Sequence, residues 1–325
     1  MRTLFVCQES DKGGLELFKD LEDSPKASVV YIGLKHSICR WVLKGIFTIQ
    51  RLSGLVISAP SCIYNWKKRL RPAGTDGTER IVVKSNLSEI IPMRYIQKLR
   101  RKGIRCEMFL IDSIDAGSYT IKKTRKYIDF KYWDDILTFD QEDADKYSFT
   151  FSGFHYYSKH DITLPSHIGT EIYFIGSIKG GREHMICDTA RYLKANDVSF
   201  RFDVQYFDNS FSMPCKDLIN YIRQGIPYRE VLERTVGGSC ILEIVQNGQS
   251  GPSLRYFEAV IYNKKLLTNN PFIVRFPYYN PEYMKVFKSM EDIDIEWIKS
   301  EIHVDYDYRG DFSPLFFPGL DQEVF

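Results

Sequence analysis

The chain has no uninterrupted apolar stretch of about 18 residues, the length a membrane-spanning helix requires. It has no CxxC pair, and its 7 cysteines (7, 39, 62, 106, 187, 215 and 240) are scattered and odd in number. That usage argues against a zinc site and for reduced thiols in a cytosolic protein. Internal repeats and low-complexity tracts are absent. The opening "MRTLFVCQES" turns polar too soon for a secretory signal and reads as a first buried strand. Tryptophan is scarce, at 4, against 21 Tyr and 22 Phe.

What remains is globular. With 325 residues, 44% of them hydrophobic, the chain suits two domains or one large one. The net charge of +2 conceals an asymmetry: residues 1–150 are net +7 and the remainder net −5. Within residues 24–133, 22 basic side chains face 7 acidic ones. The clusters are "NWKKRLRP" (65–72), "QKLRRKGIR" (97–105) and "KKTRK" (122–126). Such a field attracts phospholipid, a pyrophosphate-linked lipid or nucleic acid, although solvated helix faces have the same composition. In residues 34–60, Ile38, Trp41, Val42, Ile46, Ile49 and Leu52 share one side of a helix, opposite Arg40, Lys44, Phe47 and Arg51. That helix either packs on a sheet or lies in a membrane interface.

Short apolar runs alternate with helix-like segments along the whole chain, which predicts α/β architecture built on mainly parallel sheets. "RTLFV", "SVVYIGL", "GLVISAP", "RIVVKS", "CEMFLID" and "DDILTFD" are strands of a first half, with a helix over 36–52. "SKHDITLPSHIGT" (158–170) has the composition of a connector. "EIYFIG", "FRFDVQYF", "CILEIV" and "KLLTNN" are strands of a second half, followed by helices in "NPEYMKVFKSM" and "DIEWIKSEIH". Two Rossmann-like domains facing across a cleft is the economical fold.

The second half carries two loops with ligand-binding chemistry. In "FIGSIKGGR", Gly176, Gly180 and Gly181 allow tight turning, Ser177 sits among them, and Lys179 and Arg182 offer charge to phosphate oxygens. The loop is not GxGxxG, and no acidic residue stands at the distance an NAD ribose requires, which disfavours a dinucleotide site. In "EIVQNGQSGPSLRYFEAV", Gln249, Ser250, Gly251, Ser253 and Leu254 lie at a helix start. Arg255 falls in its first turn and Glu258 just beyond. Backbone N–H groups and a cation suit a nucleoside diphosphate, and a carboxylate suits its ribose. A capped helix with a solvated Arg and Glu fits the same residues.

"CILEIVQNGQSGPSLRYFEAVIYNKKLLTNN" resembles the nucleotide-sugar site of GT-B glycosyltransferases, closest to bacterial lipopolysaccharide and capsular polysaccharide enzymes. "YWDDILTFDQEDADKYSFTFSGFHYY", "EIYFIGSIKGGRE" and "IPYREVLERTVGGSCIL" are similar in order and spacing. The resemblance covers about residues 105–290. It implies an N-terminal acceptor domain (1–157), a connector (158–170), a C-terminal nucleotide-sugar domain (171–280) and C-terminal helices and tail (281–325). It further implies that Glu258 holds ribose, the 249–255 turn holds diphosphate, Lys179 and Arg255 steady the leaving phosphate, and Tyr228 flanks the base. Retaining members with paired glutamates carry an acid eight positions before the ribose glutamate. This chain has Ser250 there, so the stereochemical outcome stays open.

The expected activity is transfer from a nucleotide sugar, of UDP or GDP type and with no separate cofactor, to a glycan or lipid-linked hydroxyl. The location is cytoplasmic, against the anionic inner face of the membrane. Asp112 and Asp115 in "FLIDSIDAGSY" are general bases or helix caps. Gly13-Gly14 and His155 are further candidates to reach the cleft. The acid pairs "DAD" (143–145), "DID" (292–294) and "DYD" (305–307) lack the preceding strand of a metal-binding DxD, so no metal is expected. Two other classes fit less of the chain. A nucleic-acid-binding protein leaves the acidic half's anion-cradling turns without purpose, and a catalytically silent glycan- or nucleotide-binding scaffold would keep only the fold.

Overall fold

A computed structural model describes residues 1–9, 17–35, 39, 41–43, 45–46, 60–71, 76–117, 119–162, 171–178, 181–206, 214–223 and 226–320. The chain divides into two units, Met1–Ser158 with Phe312–Phe325, and Lys159–Asp311. The stretch 281–325, read from sequence as one run of C-terminal helices and tail, is thus divided: 281–311 belongs to the second unit and Phe312–Phe325 to the first.

In the first unit, β1 (Arg2–Gln8), β2 (Ala27–Ile32), β3 (Thr78–Lys84), β4 (Arg105–Phe109), β5 (Asp135–Thr138) and β6 (Thr150–Phe151) form one sheet in the order β2-β1-β3-β4-β5-β6. Every pairing is parallel. Parallel strands are buried on both faces, which is why β1 and β3 read as continuous apolar runs. Leu4, Val6, Ile81, Val83, Cys106 and Met108 pack on one side with α1 (Trp66–Leu70) and α2 (Met93–Arg100). Helices α3 (Tyr119–Thr124) and α4 (Gln141–Tyr147) follow. Phe5, Phe18 and Phe109 meet the returning chain end, whose Phe317 ring lies edge-on to Phe5 and Phe109 at 5.2 and 5.4 Å. Beneath it Arg80 and Glu107, both buried, form an ion pair of 2.5 Å, and Arg80 Nη1 donates to the Pro318 carbonyl.

In the second unit, β7 (Ile172–Ser177), β8 (Phe200–Gln205), β9 (Asn220–Ile222), β10 (Cys240–Glu243), β11 (Lys265–Thr268) and β12 (Met284–Val286) form a second parallel sheet, ordered β12-β11-β10-β7-β8-β9. Its helices are α5 (Glu183–Ala195), α6 (Tyr228–Gly237), α7 (Leu254–Ile261) and α8 (Ile295–Lys299).

Three expectations change. The helix predicted over 280–290 is a turn and strand β12, because Met284–Val286 completes the edge left open by β11. The helix predicted over 294–303 ends at Lys299. There the buried Lys265 ammonium, rising from β11, takes the Trp297, Ile298 and Ser300 carbonyls at 2.7–2.8 Å and caps α8. In the 34–60 stretch, Cys39 and Leu43 touch the core, whereas Trp41 is 72% exposed and Val42 45%, so they are not on a packed face. Arg40, Lys44, Phe47 and most of "GLVISAP" lie outside the described residues, as do Gly13 and Gly14.

Candidate functional site

The second sheet reverses its winding between β7 and β10: β8 and β9 follow on one side of β7, and β10, β11 and β12 lie on the other. At such a reversal, loops leaving neighbouring strand ends diverge to opposite faces and open a crevice at the carboxyl edge. The two loops singled out from sequence are the loops that leave β7 and β10. They touch: a Cβ on Gly181, whose φ is +73°, would stand 3.1 Å from Asn247 Nδ2. Lys179 and Gly180 fall outside the described residues.

Arg182, expected at phosphate, is engaged with backbone. Its Nε and Nη2 donate to the Ser177 carbonyl at 3.0 and 2.6 Å, and Nη1 donates to the Ile244 carbonyl at 2.7 Å. The guanidinium therefore clamps the ends of β7 and β10 together. Burial pushes it down to about 10, which leaves it charged at neutral pH. Gly176 makes room for this clamp, since a Cβ there would lie 2.9 Å from the Phe174 ring and 3.4 Å from Arg182 Nη2.

The loop from 244 to 253 is polar because its backbone is satisfied from within. Glu243, buried at the end of β10, accepts from Ser253 N and Oγ at 3.2 and 2.5 Å, and from Thr268 Oγ1 at 2.5 Å. Burial raises its carboxyl above the ordinary value despite those donors. Asn270, also buried, donates to the Ser250 and Gly251 carbonyls at 3.1 and 3.4 Å. Gln249 Nε2 donates to the Gly251 carbonyl at 3.2 Å. Ser253 caps α7 through the Arg255 N–H at 3.2 Å, and Leu254 opens the helix half-buried. Ser250 and Gly251 are buried. Sequence reasoning missed Glu243 and Asn270. The signals were an acid closing an apolar strand and the paired Asn after "KLLT".

One turn into α7, Arg255 Nη1 lies 2.7 Å from Glu258 Oε2 and 2.6 Å from Thr235 Oγ1. The Tyr228 hydroxyl donates to Glu258 Oε1 at 2.7 Å. Glu258 is fully buried, and Oε2 has no aligned hydrogen bond among the described residues. Desolvation raises its carboxyl to about 7, against the opposing pull of Arg255 and Tyr228. Tyr228 packs edge-on against His160 at 5.6 Å. The structure thus brings Tyr228, Arg255 and Glu258 into one array.

In the first unit Asp112 is half-buried on the bend after β4, at that sheet's carboxyl edge. Asp115 departs from both its readings: it pairs at the surface with Lys146 Nζ at 2.6 Å and accepts from Tyr147 at 2.8 Å, contacts that hold its carboxyl below the ordinary value. His155 packs over Gly153 and near Phe316 of the returning chain end. The acid pairs serve local structure. Asp143 accepts from the Ile114 N–H, Asp292 completes a capping box with Ser289, Asp294 caps α8 and Asp307 pairs with Arg309.

No family model matches the chain, and no curated protein matches it. Solved structures do. The UDP co-structure of S. aureus MnaA covers 98% of this chain and 93% of its own, with a TM-score of 0.50 at 10% identity. The structure described as trehalose-6-phosphate from E. coli bound with UDP-2-fluoro glucose covers 90% and 89%, with a TM-score of 0.51 at 11% identity. The fold is of the GT-B type: two Rossmann-like domains, each on a parallel sheet of six strands among the described residues.

Proposed function

We propose that the second unit binds a nucleotide sugar at the β7/β10 loops and that the protein is a glycosyltransferase. The observation that carries this reading is the Arg255–Glu258–Tyr228 array. It sets a cation and a titrating carboxylate behind a glycine-bearing turn, at a sheet's winding reversal. A nucleoside diphosphate needs a cation at its phosphates and a carboxylate acceptor at its ribose, and this array offers both within one helix. The two similar structures each hold a UDP moiety, which supports a UDP-type donor here.

In this reading Gln249, Ser250, Gly251 and Ser253 line the diphosphate. Arg255, with Lys179, meets the negative charge that grows on the leaving phosphate, in place of a metal ion. The first unit holds the acceptor, and Asp112 takes the proton of its hydroxyl. The acceptor is a glycan or lipid-linked sugar of bacterial surface polysaccharide synthesis. Lys67, Lys68, Arg69 and Arg71 are exposed on and beside α1, and Trp41 is exposed too; such a surface suits the anionic inner face of a membrane. Among the described residues no helix is long and apolar enough to cross one.

Thermal protection by UDP-, GDP-, CDP- and dTDP-sugars tests the reading. One nucleotide class should raise the unfolding temperature. Protection by nucleic acid alone would move the protein to a different class, and protection by free glycans alone would make it a binding scaffold.

A further inference from the structure

Gln246 stands four residues before Ser250, on the loop leaving β10, and it is 8% exposed. Both of its flanks are held. The Val245 N–H donates to Asn269 Oδ1 at 2.7 Å, and the Gln246 carbonyl accepts from the Gln249 N–H at 3.1 Å. Two residues earlier, the Ile244 carbonyl is gripped by Arg182. The backbone that aims this side chain is therefore fixed, yet its Oε1 is buried and finds no hydrogen-bond partner among the described residues. A buried, unsatisfied carboxamide oxygen is destabilising, and a protein gains nothing from it unless something else supplies the donor. The alternative occupant, an apolar side chain of equal volume, carries no such cost.

The chemistry of the missing partner is restricted. A carbonyl oxygen accepts only from O–H or N–H. Diphosphate oxygens at neutral pH carry neither and would repel it. They would be met only with the carboxamide flipped, its Nε2 donating, and a comparison of nucleotide sugar with nucleoside diphosphate separates the two orientations. The ligand proposed for this crevice bears hydroxyls on its ribose and on its transferred sugar. The ribose already has its acceptor in the Glu258 carboxylate, one turn into α7.

Resting on the sugar-nucleotide reading above, we propose that Gln246 contacts the transferred sugar of the donor, its buried carboxamide oxygen accepting a hydrogen bond from a sugar hydroxyl. Gln246 thereby selects among donors that share one nucleotide. It is a specificity residue.

Gln246→Met keeps the length and volume of the side chain and removes the acceptor. Calorimetry would compare the parent and the variant on two ligands: the nucleotide sugar that gives thermal protection, and its nucleoside diphosphate. The variant should bind the diphosphate as the parent does and the nucleotide sugar roughly tenfold more weakly. Without ligand, its unfolding midpoint should equal or exceed the parent's, because the unsatisfied oxygen has gone. A purely structural role for Gln246 predicts a lower midpoint. Equal losses for both ligands, or no loss for either, would overturn the assignment and leave the nucleotide site standing. A parent that binds neither ligand overturns the sugar-nucleotide reading, and this assignment falls with it.

Discussion

The Tyr228 hydroxyl donates to Glu258 Oε1 at 2.7 Å, which ties the first residue of α6 to the middle of α7 through a carboxylate that solvent does not reach. Arg255 adds a cation on the other oxygen. Even so, desolvation dominates and the carboxyl rises from 4.5 to about 7. A raised carboxyl binds its proton more tightly in the folded state than in the unfolded one, so ionising it costs stability.

Stability should therefore fall as pH rises from about 4.5 to about 7 and level off above. Asp143, raised by burial to about 7, contributes in the same window. The difference between the parent and Glu258→Gln isolates the Glu258 share. Measured by urea unfolding, the variant should gain on the parent as pH rises through this window. A constant difference would mean that Glu258 is not titrating there.

Glu258→Ala should leave the fold in place, since a helix tolerates Ala well, and weaken donor binding by about 1.5–3 kcal/mol through the lost charge-assisted hydrogen bond. The binding of the parent should strengthen from pH 6 to pH 8, because the ionised carboxylate is the better acceptor for a ribose hydroxyl. Calorimetry across that range checks both statements. An affinity untouched by substitution and by pH would remove Glu258 from the site.

Arg182→Ala should act on folding before it acts on ligand. It takes donors from the Ser177 and Ile244 carbonyls, and hydrogen bonds to a charged group contribute about 1.5–3 kcal/mol. Chemical denaturation should show a loss of roughly that size. Parent-like stability with weakened nucleotide binding would return Arg182 to the phosphate role that its sequence position suggests.

The basic surface of α1 should bind anionic vesicles, with an association that declines from low to physiological salt as the field is screened. Lys67, Lys68 and Arg69 are exposed, so reversing their charge removes field without opening the core. Vesicle flotation checks this. Equal binding to neutral and anionic vesicles would leave the charge as a solubility feature.

The alternating strands and helices of both units were legible because parallel strands buried on two faces leave unbroken apolar runs, as in "RIVVK" and "CILE". The short edge strands Thr150–Phe151 and Asn220–Ile222 were not, because two or three residues carry no period. Strand Met284–Val286 was masked by helix-like spacing, and its neighbour β11 decided the outcome. At the site, Ser253 at the helix start with Arg255 and Glu258 in the turns beyond it follow from local spacing and the βαβ pattern, whereas Tyr228 is legible only through the family resemblance. The roles of Arg182 and Asn270 do not follow from spacing. Each binds carbonyls distant in sequence, and a guanidinium near glycines looks the same whether its partner is a phosphate or a strand end.

Turnover tests most directly whether the β7/β10 crevice is where sugar leaves nucleotide. With the donor found by thermal protection, transfer or donor hydrolysis would be measured for the parent, Gly251→Val and Arg255→Ala. The Gly251 carbonyl accepts from the Asn270 and Gln249 amides at the turn that the diphosphate is proposed to meet, and Val there should block phosphate approach. Urea unfolding run alongside should show the variant folded while turnover is lost. Arg255→Ala should lower kcat more than it raises the donor KM, because charge on the leaving phosphate grows toward the transition state. If both variants turn over as the parent does, this crevice is not the active site and the glycosyltransferase account is wrong.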